Sequence, residues 1–130
     1  MILEPTVLDG VGFSEDGQTE ALAIFDHLDW EDEKEHLLLL QNKINHYLVF
    51  IQGGQEELSP QDRERLKSVR QTVIEIYFKY KPSKECRRFL KKVQRIVSNM
   101  GDYAELERHD HMKENAGKLK NVRITYQVTG

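Results

Sequence analysis

The sequence predicts an α+β fold of two layers: a mixed four-stranded sheet with two amphipathic helices on one face, in the order β-β-α-β-α-β. Three observations predict it. Apolar and polar residues alternate in four separate stretches, the period of a half-buried strand. Two longer stretches repeat at the helical period between capping residues. Each of those helices lies between strands, where it can serve as a crossover. A chain of 130 residues, 38% hydrophobic and 32% charged, is expected to make one domain over residues 1–130, because two cores would each fall near the lower size limit for folding.

Val7, Val11 and Phe13 on alternate positions make the first strand, and Glu15-Asp16-Gly17 the tight turn after it. Ala21–Phe25 make the second strand, and an Asp-Gly between two such runs signals an antiparallel hairpin. The main helix is expected over Asp29–Ile51. Asp29 serves as N-cap, the acids Glu31, Asp32, Glu33 and Glu35 suit the positive helix start, and Gly53-Gly54 stops it. Residues 55–68, with Ser59-Pro60 and dense charge, read as a loop that holds a helical turn from Gln61 to Leu66.

Thr72, Ile74, Ile76, Phe78 and Tyr80 alternate with Val73, Glu75, Tyr77 and Lys79, a strand with one strongly apolar face. Pro82 ends it, and Ser83 caps a second helix that runs to about Met100 and is closed by Gly101. At about 100° per residue, Phe89, Leu90, Val93, Ile96, Val97 and Met100 share one arc of this helix, and Arg87, Arg88, Lys91, Lys92 and Arg95 the other. It should lie on the sheet by the first arc. Tyr103–Asn115 reads either as a frayed helix or as a polar strand. Val122, Ile124, Tyr126 and Val128 then alternate with Asn121, Arg123, Thr125 and Gln127 to give the final strand.

The formal net charge of -3 hides a segregation along the chain. Residues 1–60 hold 13 acids and 2 bases, whereas residues 61–100 hold 4 acids and 12 bases. Such asymmetry marks separate partner surfaces, or two halves that fold against each other, with solvated faces as the ordinary reading. No apolar run approaches the length of a membrane span, and the acidic start lacks the features of a signal peptide, so a cytoplasmic protein that binds no membrane is expected. The single cysteine, Cys86, cannot form an internal disulfide or a thiolate metal site. No Gly-rich loop precedes a helix, and the basic helix face is not interleaved with exposed aromatics, so neither a phosphate site nor nucleic-acid binding is expected.

Asp26-His27-Leu28-Asp29-Trp30, then Glu35-His36-Leu37-Leu38-Leu39-Leu40-Gln41, Lys43-Ile44-Asn45, Tyr47-Leu48 and Phe50-Ile51 resemble the D-H-L-x-W, H-L-x-L-L-Q-x-K-I-N-x-Y-L-x-F-I signature of a family of small bacterial proteins of unknown function. The resemblance covers roughly residues 4–100. It departs from the family pattern in a longer charged loop from Gln55 to Ser68 and in a tail after Gly101. The resemblance implies a cytoplasmic bacterial α+β domain and supplies no catalytic residues.

The cluster Asp26, His27 and Asp29, with His36 two turns into the helix, sits where a strand feeds a helix, a common place for active groups. A His with carboxylates could act as general base or bind a metal, which gives the alternative reading of a small hydrolase or metal-dependent enzyme. The leading reading is structural: Asp26 and Asp29 cap, His27 and His36 bond across the junction, and Trp30 packs beneath the helix. His109-Asp110-His111 supplies two imidazoles, too few for a specific metal site. Arg87 beside Cys86 could lower the thiol pKa, yet no histidine partners it. No metal and no cofactor are expected.

The main helix carries more apolar residues than one face needs. Beside the stripe of Leu37, Leu40, Ile44, Tyr47, Leu48 and Ile51, Leu38 and Val49 lie to one side and Leu39 and Phe50 nearly opposite. The excess must be covered by the C-terminal tail, residues 103–128, by a second copy or by another protein. The leading expectation is therefore a non-catalytic protein-binding domain, bound through Leu38, Leu39, Val49 and Phe50 to a partner or to itself as a homodimer. An immunity-type protein, whose acidic surface covers a toxin's basic active site, is the narrower form of that expectation.

Overall fold

The computed structural model describes residues 1–52, 59–99 and 121–129. Strands β1 (Gly10–Phe13) and β2 (Thr19–Asp26) form the expected antiparallel hairpin. Its turn is set by Asp16, whose Oδ1 accepts hydrogen bonds from Ser14 Oγ (2.6 Å) and the Gln18 N–H (2.9 Å). Gly17 takes a φ of 72°, a conformation that other residues rarely adopt. Helix α1 (Glu33–Gln52) and the short α2 (Pro60–Leu66) precede β3 (Gln71–Phe78), and α3 (Lys84–Asn99) precedes β4 (Val122–Val128).

The sheet order is β1-β2-β3-β4, with β3 parallel to both β2 and β4. Both crossovers step the same way across the sheet, and right-handed crossovers then place both long helices on one face. The buried strand residues agree: Leu22, Ile24, Ile74, Ile76, Phe78 and Val122 all come from that face, in register across the strands. Against them α1 packs Leu40, Ile44, Tyr47, Leu48, Phe50 and Ile51, and α3 packs Cys86, Leu90 and Val97. On the opposite face Phe25, 45% exposed, has its ring centroid 5.6 Å from that of Tyr77.

Several details differ from the sequence reading: β2 extends to Thr19 and Asp26 on either side of Ala21–Phe25, and β3 ends at Phe78, before Lys79 and Tyr80. The first strand starts at Gly10, and Val7 stays outside it because its carbonyl is held by Lys43 Nζ at 2.6 Å. Helix α1 starts at Glu33 and is capped by Asp32, whose Oδ1 accepts the Glu35 N–H (3.2 Å) and whose carbonyl accepts the His36 N–H (3.0 Å). Asp29 is not the cap, because its Oδ1 is taken by the Glu31 N–H (3.1 Å) in a turn before the helix. Ile96, expected on the core arc of α3, is 39% exposed. Ser83 caps α3 as expected: its Oγ accepts the Cys86 N–H (3.1 Å) and its carbonyl the Arg87 N–H (3.0 Å). The Gly53-Gly54 stop, the Met100-Gly101 end of α3, the segment Tyr103–Asn115 and the His109-Asp110-His111 pair lie outside the described residues.

Candidate functional site

The apolar excess of α1 divides in two. Leu38 and Val49 are exposed, at 50% and 47%, on an otherwise polar face. Phe50 is buried, at 2% exposure, and Leu39 is half-buried against the core, so neither belongs to an open binding stripe with the other two. The covering element follows from Lys43. At 100° per residue Lys43 falls on the face of Leu39 and Phe50, and its fully buried ammonium donates to the carbonyls of Met1 (2.9 Å), Glu4 (2.7 Å) and Val7 (2.6 Å). Residues 1–9 therefore run along this stripe, with Ile2 buried in the core.

Asp9 completes that knot. Its Oδ1 accepts from Lys43 Nζ (2.9 Å) and from the Met1 amine, and its Oδ2 from the Phe25 N–H (2.9 Å). Burial pushes the Asp9 carboxyl upward, but the Met1 amine, the Phe25 N–H and Lys43 together bring it below the ordinary value. Tyr47 Oη links the same region to the sheet, accepting the Asp9 N–H (2.9 Å) and donating to the Ala23 carbonyl (2.5 Å).

Of the four residues in the possible catalytic cluster, the structure joins the side chains of Asp26 and His36 only. His36 Nε2 lies 2.5 Å from Asp26 Oδ2, and its Nδ1 lies 2.9 Å from the Asp29 carbonyl. Both side chains are sealed, at 2% and 0% exposure. Trp30 closes the imidazole from one side, stacked at a centroid distance of 3.7 Å and 17° between planes. Each ring nitrogen thus has an oxygen within hydrogen-bond distance, so the imidazole is held at both ends. The other Asp26 oxygen accepts the Leu28 N–H (3.1 Å). His27 is exposed and Asp29 contributes its backbone carbonyl, so the expected bond of His27 across the junction does not form. The pair works as a rivet between the end of β2 and the first turns of α1.

Cys86 is buried in the core at 0% exposure. Burial, with Asp26 and then Glu33 adding negative charge, pushes its thiol up to about 12. Arg87, the neighbour that could have lowered it, is exposed to water while the thiol points inward, and Cys86 is an ordinary buried helix residue. Among the described residues no group of three or more His, Cys, Asp or Glu is placed to hold a metal ion, and no helix is long and apolar enough to cross a membrane.

A concave surface with a distinct chemistry lies between α3 and β4. It is a groove of ≈ 590 Å³ whose floor is Leu90, Ile124 and Tyr126 and whose wall carries Lys84, Arg87, Arg88 and Lys91. Gln94 stands at one end and bonds the strand, Nε2 to the Val122 carbonyl (2.9 Å) and Oε1 to the Ile124 N–H (2.7 Å). The sequence placed Arg87, Arg88 and Lys91 on the outer arc of α3. It gave no sign that β4 is an edge strand beside them, since strand order depends on pairing far along the chain.

These features define a two-layer α+β domain with a sealed His–carboxylate rivet and a basic groove at one sheet edge. The sequence matches the DUF6572 family, a family of unknown function, over residues 1–110, and the chain belongs to that family. No curated protein and no solved structure matches it.

Proposed function

We propose that the chain is a non-catalytic protein-binding domain that meets its partner along the groove between α3 and β4. The observation that carries this reading is the make-up of the groove, an apolar floor of Leu90, Ile124 and Tyr126 beside the cations of Lys84, Arg87, Arg88 and Lys91. Protein interfaces have this form, with a desolvated centre rich in aromatic residues and arginine inside a charged rim. The sealed state of Asp26 and His36 supports the same reading, because a general base must reach its substrate.

The narrower, immunity-type reading uses a different surface. Glu31, Asp32 and Glu35 are exposed at the start of α1 and would face a basic partner. One capture experiment tests both, with wild type, Arg87→Glu with Arg88→Glu, and Glu31→Lys with Glu35→Lys as baits in host lysate. A protein held by wild type and by the Glu31/Glu35 variant, and lost from the Arg87/Arg88 variant, is the expected result. Loss from the Glu31/Glu35 variant alone moves the contact to the acidic surface. Equal retention by all three contradicts both surfaces.

A further inference from the structure

The groove has a second property, which concerns backbone rather than side chains. Among the described residues strand β4 is an edge of the sheet, paired on one side with β3. Thr129, directly after it, turns its N–H inward to the Phe78 carbonyl at 2.8 Å, whereas Ile124 turns its N–H outward to Gln94. Backbone groups alternate sides along a strand, so Tyr126 and Val128 also point their N–H and C=O groups outward. Among the described residues no hydrogen bond reaches those groups. Gln94 already imitates a neighbouring strand at the start of β4, since its one amide both donates to Val122 and accepts from Ile124.

We infer that β4 accepts an added strand, an extended segment of a partner protein that bears an acidic residue at every second position. This rests on the protein-binding reading above and specifies its mode. A strand laid beyond Gln94 pairs with the outward groups of Tyr126 and Val128 and continues the sheet. Its side chains alternate between the two faces, and those on the helical side meet Arg87, Arg88 and Lys91 across the exposed ring of Tyr126. Carboxylates there gain charge-assisted bonds, with arginine able to bind them two-pronged. A second copy of this chain is the poorer occupant, because pairing β4 with β4 would bring two basic rims together.

The test uses the whole chain and a labelled eight-residue peptide that alternates valine and glutamate, read by fluorescence anisotropy at low and at moderate salt. Its glutamine counterpart should bind at least tenfold more weakly, and raising the salt should weaken the glutamate peptide. The same peptide N-methylated at alternate residues, on the edge that faces β4, should lose binding altogether, a result that needs no change in the protein. Arg87→Ser with Lys91→Ser should weaken binding at least tenfold. Lys92→Ser with Arg95→Ser, which removes the same charge from residues that do not line the groove, should leave it unchanged.

Equal losses from the two charge pairs would overturn the inference, as would full binding of the N-methylated peptide or no binding of any peptide. A single-stranded oligothymidylate of equal charge that binds as tightly as the glutamate peptide would also overturn it in favour of nucleic acid. So would a concentration-dependent dimer that the Arg87/Lys91 change strengthens, in favour of self-pairing. If a protein is captured through the groove while every peptide fails, the protein-binding reading stands and the added-strand mode falls.

Discussion

His36 is held by an oxygen at each ring nitrogen, so removing it leaves the carboxylate of Asp26 buried without its partner. His36→Phe should cost roughly 3–5 kcal/mol, whereas Asp26→Leu with His36→Phe should recover much of that loss, since an apolar replacement of both partners removes the stranded charge. Denaturant melts of the single and double variants measure this, and equal losses in both would contradict the rivet. Asp9 makes a pH prediction. Its folded pKa is depressed, so its contribution to stability is present above the unfolded value of about 4 and is lost as pH falls through the folded one. Between neutral and strongly acidic pH, wild type should lose more stability in urea melts than Asp9→Asn. Cys86, with its thiol raised to about 12 and no exposure, should resist iodoacetamide at mildly alkaline pH until urea unfolds the chain; rapid labelling of native protein, read by mass spectrometry, would contradict its burial. At this scale the sequence was informative about type and silent about partners. Asp26, His27, Asp29 and His36 stood out as a group of which only the Asp26 and His36 side chains meet, and the choice between Asp29 and Asp32 as helix cap turned on which carboxylate the Glu31 N–H occupies. The bonds of Lys43 to residues 1, 4 and 7 join parts of the chain too far apart for any periodicity to connect.

At the scale of elements, local periodicity carried most of the fold. The hairpin, α1, α3, β3 and β4 are each visible as a period of two or 3.6, and the short α2, read as a turn from Gln61 to Leu66, begins one residue earlier at Pro60. What periodicity could not assign is the cover over a second apolar stripe. Leu39 and Phe50 looked like spare surface because residues 1–9 are irregular, and an irregular segment has no pattern to announce where it packs. The two pairs of α1 should now respond differently. Leu39→Glu with Phe50→Glu places charge in the core and should unfold the chain or destabilise it by at least about 3 kcal/mol. Leu38→Glu with Val49→Glu lies in water and should change stability by no more than about 0.5 kcal/mol per site. Circular dichroism melts separate the cases, and a folded Leu39/Phe50 variant would show that the N-terminal segment does not seal this face.

At the scale of the molecule, the segregation of charge read along the chain appears as exposed acids at the start of α1 and a basic groove between α3 and β4. The groove could not be read in the sequence, because it needs α3 to lie beside an edge strand, and edge status is a property of the whole sheet. The measurement that bears most directly on the account is amide hydrogen exchange resolved by residue, on the free chain and on its complex with a captured partner. In the free chain the outward amides of Tyr126 and Val128 should exchange quickly, while the inward amides of Thr125, Gln127 and Thr129 exchange slowly. In the complex, Tyr126 and Val128 should become protected and the amides at the start of α1 should not change. Protection of Tyr126 and Val128 already in the free chain, or a footprint on the α1 start with none on β4, would contradict it.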